Sequence, residues 1–129
     1  MKVLYVEDNP ASIALMEDLV DGLGRVGLIA APTAELGIEL ARAHRPDLIV
    51  MDINLPGASG FDAMRELRAL PELAHTPVIA LSAAASDSDR RRGLAAGFLA
   101  YLTKPLNVDA FIALVEPLLR EEGAAEPRA

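Results

Sequence analysis

Acidic, hydroxyl and ammonium side chains each follow a short apolar segment of this sequence. Glu7 and Asp8 come directly after the first segment, Asp52 after the third, Ser82 after the fourth and Lys104 shortly after the fifth. Three carboxylates that meet at one place repel each other, and a hard divalent cation relieves the repulsion. Mg²⁺ takes oxygen ligands and commonly uses one or two carboxylates together with water. Each acid alone could be an ordinary solvated loop residue, but the complete set predicts a magnesium site.

Lysine is scarce in this chain, which makes the position of Lys104 informative. Of the 12 basic residues, only Lys2 and Lys104 are lysines. Lys104 stands between an apolar segment and Pro105. A lysine there would supply a compact positive charge to a carboxylate cluster or to a phosphate group. The alternative is a surface lysine in a turn.

The apolar segments themselves predict buried strands of a parallel sheet. The clearest lie at residues 3–6, 48–51 and 78–81, and weaker ones lie at 26–30 and 98–102. None of the three clear segments alternates polar with apolar residues, which is typical of strands that are covered on both faces. Ligands of such sheets bind beyond the carboxyl ends of the strands. The polar residues named above all follow those ends.

Apolar residues at helical spacing separate the predicted strands. Asn9 is predicted to cap the first helix and Pro10 to occupy its first position. Four further helices are predicted at about residues 34–41, 60–70, 86–97 and 108–119, with a kink or a weakened turn at Pro117. The order is therefore β-α repeated five times. Right-handed crossovers then give an α/β fold, a doubly wound open parallel sheet with helices on both faces.

Length and composition narrow the possible functions. The chain has 129 residues, 52% of them hydrophobic, and no cysteine, which indicates one globular domain without disulfides or thiolate metal sites. Its formal charge of −7 disfavours nucleic acid as a partner. No apolar run approaches the roughly 18 residues of a membrane span, and early acidic residues argue against a signal peptide. We expect a cytoplasmic domain over residues 1–122 and a polar tail over 123–129, with no membrane partner.

Four motifs, in order, resemble the receiver domain of two-component phosphorelay signalling. They are EDN at residues 7–9, MDINLPG at 51–57 with Gly60, ALSA at 80–83, and YLTKP at 101–105. The resemblance extends from residue 2 to about residue 119. It implies the flavodoxin-like five-stranded fold with strand order 2-1-3-4-5.

The resemblance also assigns roles to the acidic residues. It implies that Asp52 is the phosphoacceptor and that Mg²⁺ is the cofactor. Asp8, Asp52 and the backbone carbonyl of Asn54 would bind the ion directly, and Glu7 would act mainly through a bound water. Phosphoryl transfer passes through a loose transition state with spread charge, for which positioning and cations are the main requirements.

The remaining site residues follow from the last two motifs. Lys104 would contact the phosphoryl oxygens, and Ser82 would donate a hydrogen bond to them. Tyr101 matches the switch aromatic that turns inward when Ser82 moves. The Lys104–Pro105 bond matches a position at which the family has a cis peptide. Phosphorylation would thus be a local event that changes a two-state surface.

The implied partners are other proteins. A histidine kinase or histidine phosphotransferase would donate the phosphoryl group, and a downstream protein would bind the face formed by helix 4, strand 5 and helix 5. The domain would be a monomer or a phosphorylation-dependent dimer, and a signalling protein rather than an enzyme. A stand-alone response regulator and a receiver excised from a hybrid histidine kinase both fit the motifs.

Two other functions fit less well. A phosphohydrolase with an aspartyl phosphate would want a second carboxylate two residues after Asp52, where this chain has Asn54. A phosphate-independent interaction module would have no need of the complete acidic cluster with Ser82 and Lys104. Neither Asn54 nor Ala84 is a bulky residue or an obvious base beside the path of a hydrolytic water, so we expect an acyl phosphate of ordinary lifetime.

Two surface features have alternative interpretations. The residues at 98–100 form an apolar patch next to Tyr101, either for a partner or for ordinary packing, and packing is slightly favoured. The three arginines at 90–92 are either a contact for an acidic partner or a solvated helix face, which is favoured.

Overall fold

The computed structural model describes residues 1–55, 59–83 and 86–125, with side chains described up to residue 118. The strands are β1 (Lys2–Val6), β2 (Gly27–Ala31), β3 (Leu48–Asp52), β4 (Val78–Ser82) and β5 (Ala100–Thr103). The α-helices are α1 (Pro10–Leu23), α2 (Ala34–His44), α3 (Gly60–Ala69), α4 (Asp87–Ala95) and α5 (Val108–Ala125). A single 3₁₀ turn over Pro71–Leu73, which was not predicted, follows α3 among these elements.

All five strands are parallel and lie in the order β2-β1-β3-β4-β5. This confirms the doubly wound flavodoxin-like fold. The strand order reverses at β1, which pairs with β2 on one side and with β3 on the other. The carboxyl ends of β1 and β3 therefore lie side by side at the topological switch point, where ligands of this fold class bind.

Alternate residues of each central strand enter two separate cores. In β1, Leu4 and Val6 face one core with residues of α2 and α3, and Val3 and Tyr5 face the other with residues of α1 and α5. Every residue of β3 and β4 is buried. Burial on both faces explains why these strands have continuous apolar sequences.

Side-chain caps set the beginnings of the helices. Asn9 accepts hydrogen bonds from the backbone N–H groups of Ala11 and Ser12, as predicted. Ser86 caps α4, where its hydroxyl accepts from the Asp89 N–H and donates to the Asp89 carboxylate. Helix α5 continues through Pro117 to Ala125, so its helical part extends into the predicted tail. Within the part of the chain that the structure describes, no helix is long and apolar enough to cross a membrane.

Candidate functional site

The strand register brings four side chains to one edge of the sheet. Asp52 ends β3 and Ser82 ends β4, whereas Glu7 directly follows β1. Lys104 follows β5, and its backbone N–H donates to the Ser82 carbonyl over 2.8 Å. Because all these strands are parallel, their carboxyl ends form one rim, and the four side chains share it.

Lys104 stands between two buried carboxylates. Its Nζ lies 2.7 Å from Oδ2 of Asp52 and 3.2 Å from Oε2 of Glu7. Glu7 is only 1% exposed and Asp52 is also buried, whereas the Lys104 side chain is 31% exposed. The ammonium group therefore supplies a positive charge to two acids that water reaches poorly. The peptide bond between Lys104 and Pro105 is cis.

The two acids differ in their readiness to ionise. Burial, together with the neighbouring Asp52, raises the pKa of Glu7 to about 7 against the pull of Lys104. Burial also opposes ionisation of Asp52, but hydrogen bonds with Glu7, Lys104 and the Asn54 N–H outweigh it and hold the pKa of Asp52 below its ordinary value. Asp52 is therefore the acid that ionises more readily, and Glu7 is the acid that retains a proton more readily.

A third acid completes a possible cation site. Glu7, Asp8 and Asp52 each place a carboxylate oxygen within 4.8 Å of those of the other two. Glu7 and Asp52 are buried, whereas Asp8 is exposed and leaves one side open to water. Oxygen donors with an open side fit a hard divalent ion such as Mg²⁺, which keeps several of its waters.

Asn54 contacts this site through its backbone and its side chain. Its N–H donates to Oδ1 of Asp52 over 2.9 Å, and this bond fixes the turn after β3. Its side-chain Oδ1 accepts a hydrogen bond of 3.1 Å from the hydroxyl of Ser82. That its backbone carbonyl binds the metal ion stays a prediction.

Tyr101 is buried against α4 in this structure. The ring faces Gly93, where a Cβ atom would overlap Cδ2 of the ring and lie 3.2 Å from Cε2. Tyr101 is thus turned inward, with only 6% of its surface exposed, while the Ser82 hydroxyl still donates to Asn54. The inward position of Tyr101 therefore coexists with a hydrogen bond from Ser82 to Asn54. That Tyr101 turns inward when Ser82 moves stays a prediction.

Comparison with known proteins agrees with this geometry. The sequence matches the family model of the response regulator receiver domain over residues 3–116. The chain belongs to this family. Receiver domains are signalling domains, and this one is 40% identical over 117 residues to the polar-differentiation response regulator DivK of Brucella anthropi. The match covers 91% of this chain and 94% of that protein.

Two solved receiver domains are similar in structure. The receiver domain of the sensor histidine kinase PA1611 from Pseudomonas aeruginosa is 32% identical with a TM-score of 0.80, over 91% of this chain and 95% of that one. That structure has a magnesium ion coordinated in its active site cleft. The BeF₃-activated receiver domain of RstA from Klebsiella pneumoniae is 27% identical with a TM-score of 0.82, over 93% of this chain and 99% of that one.

The receiver domain also has an aromatic contact that sequence analysis missed. The Arg92 guanidinium lies 4.3 Å from the centre of the Phe61 ring, and Phe61 packs edge-on against Phe98. Phe98 is therefore a packing residue, as favoured, whereas Leu99 remains 47% exposed. All three arginines at 90–92 are exposed, but Arg92 also covers the Phe61 ring. Sequence offers no signal for this contact, because its members come from α3, α4 and the following loop.

Some predicted features fall outside the described residues. They are Ala84, residues 56–57 of the MDINLPG motif and residues 126–129 of the tail. The sequence did offer a signal for the Tyr101 contact, since Gly93 is a glycine inside a predicted helix, and such glycines commonly have a packing reason.

Proposed function

We propose that this receiver domain accepts a phosphoryl group on Asp52 and thereby switches a protein-binding surface. The observation that carries the proposal is the position of Lys104 against Asp52, with Nζ 2.7 Å from Oδ2. The contact favours the ionised, nucleophilic form of Asp52. It also keeps a positive charge at the place where phosphoryl oxygens would arrive.

The chemistry is a transfer between two nucleophiles. A carboxylate oxygen of Asp52 attacks the phosphorus of a phosphohistidine on a histidine kinase or histidine phosphotransferase. The new O–P bond forms as the N–P bond breaks, and the histidine nitrogen keeps the electron pair of that bond. Phosphoryl transfer of this kind needs little covalent help from the protein beyond alignment and charge stabilisation.

The other site residues stabilise the charge that arrives. Lys104 moves its hydrogen bond from the Asp52 carboxylate to a phosphoryl oxygen. The Ser82 hydroxyl donates a hydrogen bond to a second phosphoryl oxygen. Glu7, Asp8 and Asp52 would hold Mg²⁺, with Asn54 adding its backbone carbonyl. The bound ion supplies positive charge to the phosphoryl oxygens. Without cations, the roughly two added negative charges would lie unbalanced beside three acids.

The output surface is the face formed by α4, β5 and α5. Exposed apolar side chains, Leu94, Leu99 and Val108, occur in α4, in the loop before β5 and at the start of α5. Each of these side chains offers an apolar contact to a protein partner. The phosphoacceptor lies at the end of β3, two strands from β5, so a change at Ser82 in β4 has a short path to this face.

Intact-mass measurement after incubation with acetyl phosphate tests the proposal. The unsubstituted protein should gain the mass of one phosphoryl group in the presence of Mg²⁺ and none in EDTA. Asp52→Ala should gain none, whereas Asp18→Ala, which removes an exposed acid of α1, should gain as much as the unsubstituted protein. Equal labelling of Asp52→Ala, or no labelling of folded protein by acetyl phosphate and by a phosphorylated histidine phosphotransferase, would contradict the proposal.

A further inference from the structure

We propose that the Asn54 side chain holds the Ser82 hydroxyl away from the phosphoacceptor until Asp52 is phosphorylated. Asn54 would then be a positioning residue that sets how readily the switch responds. The inference rests on the proposed phosphoacceptor function, and it concerns a side-chain contact rather than the backbone of Asn54.

The Ser82 hydroxyl donates to a residue that itself contacts the phosphoacceptor. The Ser82 hydroxyl lies 3.1 Å from Oδ1 of Asn54. Asn54 is itself next to Asp52, because its backbone N–H donates to Oδ1 of that residue over 2.9 Å. Ser82 is 1% exposed, so water does not readily satisfy its hydroxyl in this position. Asn54 and the future phosphoryl group are therefore alternative partners on one rim.

The two partners compete because a hydroxyl group has a single proton to donate. An anionic phosphoryl oxygen is a stronger acceptor than a neutral amide oxygen, since hydrogen bonds to ionised groups are about twice as strong. Phosphorylation of Asp52 therefore shifts the hydrogen bond of the Ser82 hydroxyl from Asn54 to the phosphoryl group. Asn54 is exposed, so water replaces the lost contact at its amide with little cost.

Truncation of Asn54 removes the competitor and should favour the phosphorylated arrangement. A hydrogen bond between neutral groups contributes about 0.7–1.4 kcal/mol, which converts to an increase of roughly 3- to 10-fold in the affinity for a phosphoryl mimic. The Asn54→Ala variant keeps the backbone N–H that binds Asp52. It therefore separates the effect of the side chain from that of the turn.

The experiment is a titration of beryllofluoride in the presence of Mg²⁺, followed by the amide NMR signals of Ser82 and Ala83. The Asn54→Ala substitution is made in three proteins that differ at position 82, which is Ser82 in the first and carries Ser82→Thr or Ser82→Ala in the others. Each variant is compared with the same protein that keeps Asn54. We expect binding that is 3- to 10-fold tighter for Asn54→Ala when position 82 has a hydroxyl, and no difference in Ser82→Ala. A role in merely shaping the turn would act equally in all three backgrounds.

The outcomes separate this inference from the function on which it rests. Unchanged affinity in Asn54→Ala, or the same gain in the Ser82→Ala background, overturns the role of Asn54. Failure of the unsubstituted protein to bind beryllofluoride, or undiminished binding by Asp52→Ala, overturns the phosphoacceptor function itself.

Discussion

Lys104 and Asp52 form an ion pair across a strand that lies between them. Asp52 ends β3 and Lys104 follows β5, and β4 separates these two strands in the sheet. The 2.7 Å contact from Nζ to Oδ2 therefore passes over the end of β4, where Ser82 stands. The ion pair therefore holds Asp52 close to Ser82.

Loss of the Lys104 charge should destabilise the protein when no metal is present. In Lys104→Met, the buried Glu7 and Asp52 lose their only described cationic partner, and we expect the free energy of unfolding to fall by about 1.5–3 kcal/mol. Urea denaturation in EDTA at pH 8 measures the change. Lys2→Met is the matched control, because Lys2 is exposed, and it should change stability by about 0.5 kcal/mol or less. Equal losses in the two variants would contradict the role of the ion pair.

The raised pKa of Glu7 predicts a pH dependence of stability. Its pKa is about 7 in the folded protein and 4.5 ordinarily, so the folded state binds a proton that the unfolded chain has lost. Stability therefore falls as the pH rises from about 4.5 through 7. The pH effect of Asp52 has the opposite sign. Because its pKa is lowered in the folded protein, its contribution to stability is lost only as the pH falls through and below the ordinary value of 3.8.

Glu7→Gln removes this titration and keeps a neutral polar side chain. In EDTA we expect the variant to be more stable than the unsubstituted protein at pH 8, by on the order of 2 kcal/mol, and about equal to it at pH 5. Urea unfolding over a pH series provides the comparison. A difference between the two proteins that stays constant with pH would show that Glu7 does not hold the proton.

Magnesium should stabilise the protein through the acidic cluster. At a concentration of about 100 times Kd, a bound ion adds roughly 2.7 kcal/mol to the free energy of unfolding. Asp8→Asn should leave the stability without metal unchanged, because Asp8 is exposed. Its stabilisation by Mg²⁺ should be smaller by about 1.4 kcal/mol for each tenfold loss of Mg²⁺ affinity. Thermal unfolding with and without Mg²⁺ tests this, with Asp18→Asn as a control that keeps the full effect.

The contact between Gly93 and Tyr101 predicts opposite effects of two similar substitutions. In Gly93→Ala, the new methyl group collides with the Tyr101 ring, and we expect a loss of about 1–3 kcal/mol with an outward shift of the ring. Gly22→Ala adds the same group to α1 where no atom lies within 4 Å, and we expect a gain of about 0.5–1 kcal/mol.

Tyrosine fluorescence can report the shift of the ring directly. The chain has two tyrosines and no tryptophan, so Tyr101 is the sole emitter of this kind in a Tyr5→Phe background. Acrylamide should quench Tyr101 more strongly in Gly93→Ala than in Gly22→Ala. Equal quenching together with equal stability would mean that α4 accommodates the methyl group without moving the ring.

The central strands were predictable, whereas the edges of the sheet were less so. Burial on both faces gives β1, β3 and β4 continuous apolar sequences that need no further information. The predicted fifth strand started at residue 98, but β5 starts at Ala100, because the Phe98 N–H donates to the Gly93 carbonyl of α4 instead of pairing with β4. Periodicity also carries no record of which strands are neighbours, so the strand order came from the resemblance to receiver domains.

The site residues were predictable by type but not by contact. Glu7, Asp52 and Lys104 stand at strand ends, and parallel strands place such ends on one edge of the sheet. How close they lie along that edge depends on the strand order. The hydrogen bond between Ser82 and Asn54 depends on the conformation of the turn after β3. The contact of Tyr101 with Gly93 depends on the packing of α4 against β5. Both are tertiary contacts; the Ser82–Asn54 bond has no local sequence signature, whereas the glycine at position 93 inside a predicted helix is a local signal of close packing at Tyr101.

The arrangement of the site along the chain also affects when it can form during synthesis. Its members come from four strands, and 97 residues separate Glu7 from Lys104. A chain that is still emerging from the ribosome therefore has its acids long before the lysine that neutralises them. Under the proposed function, phosphorylation of Asp52 should begin only after β5 has joined the sheet, so phosphate uptake would report completion of the fold in a translating cell extract.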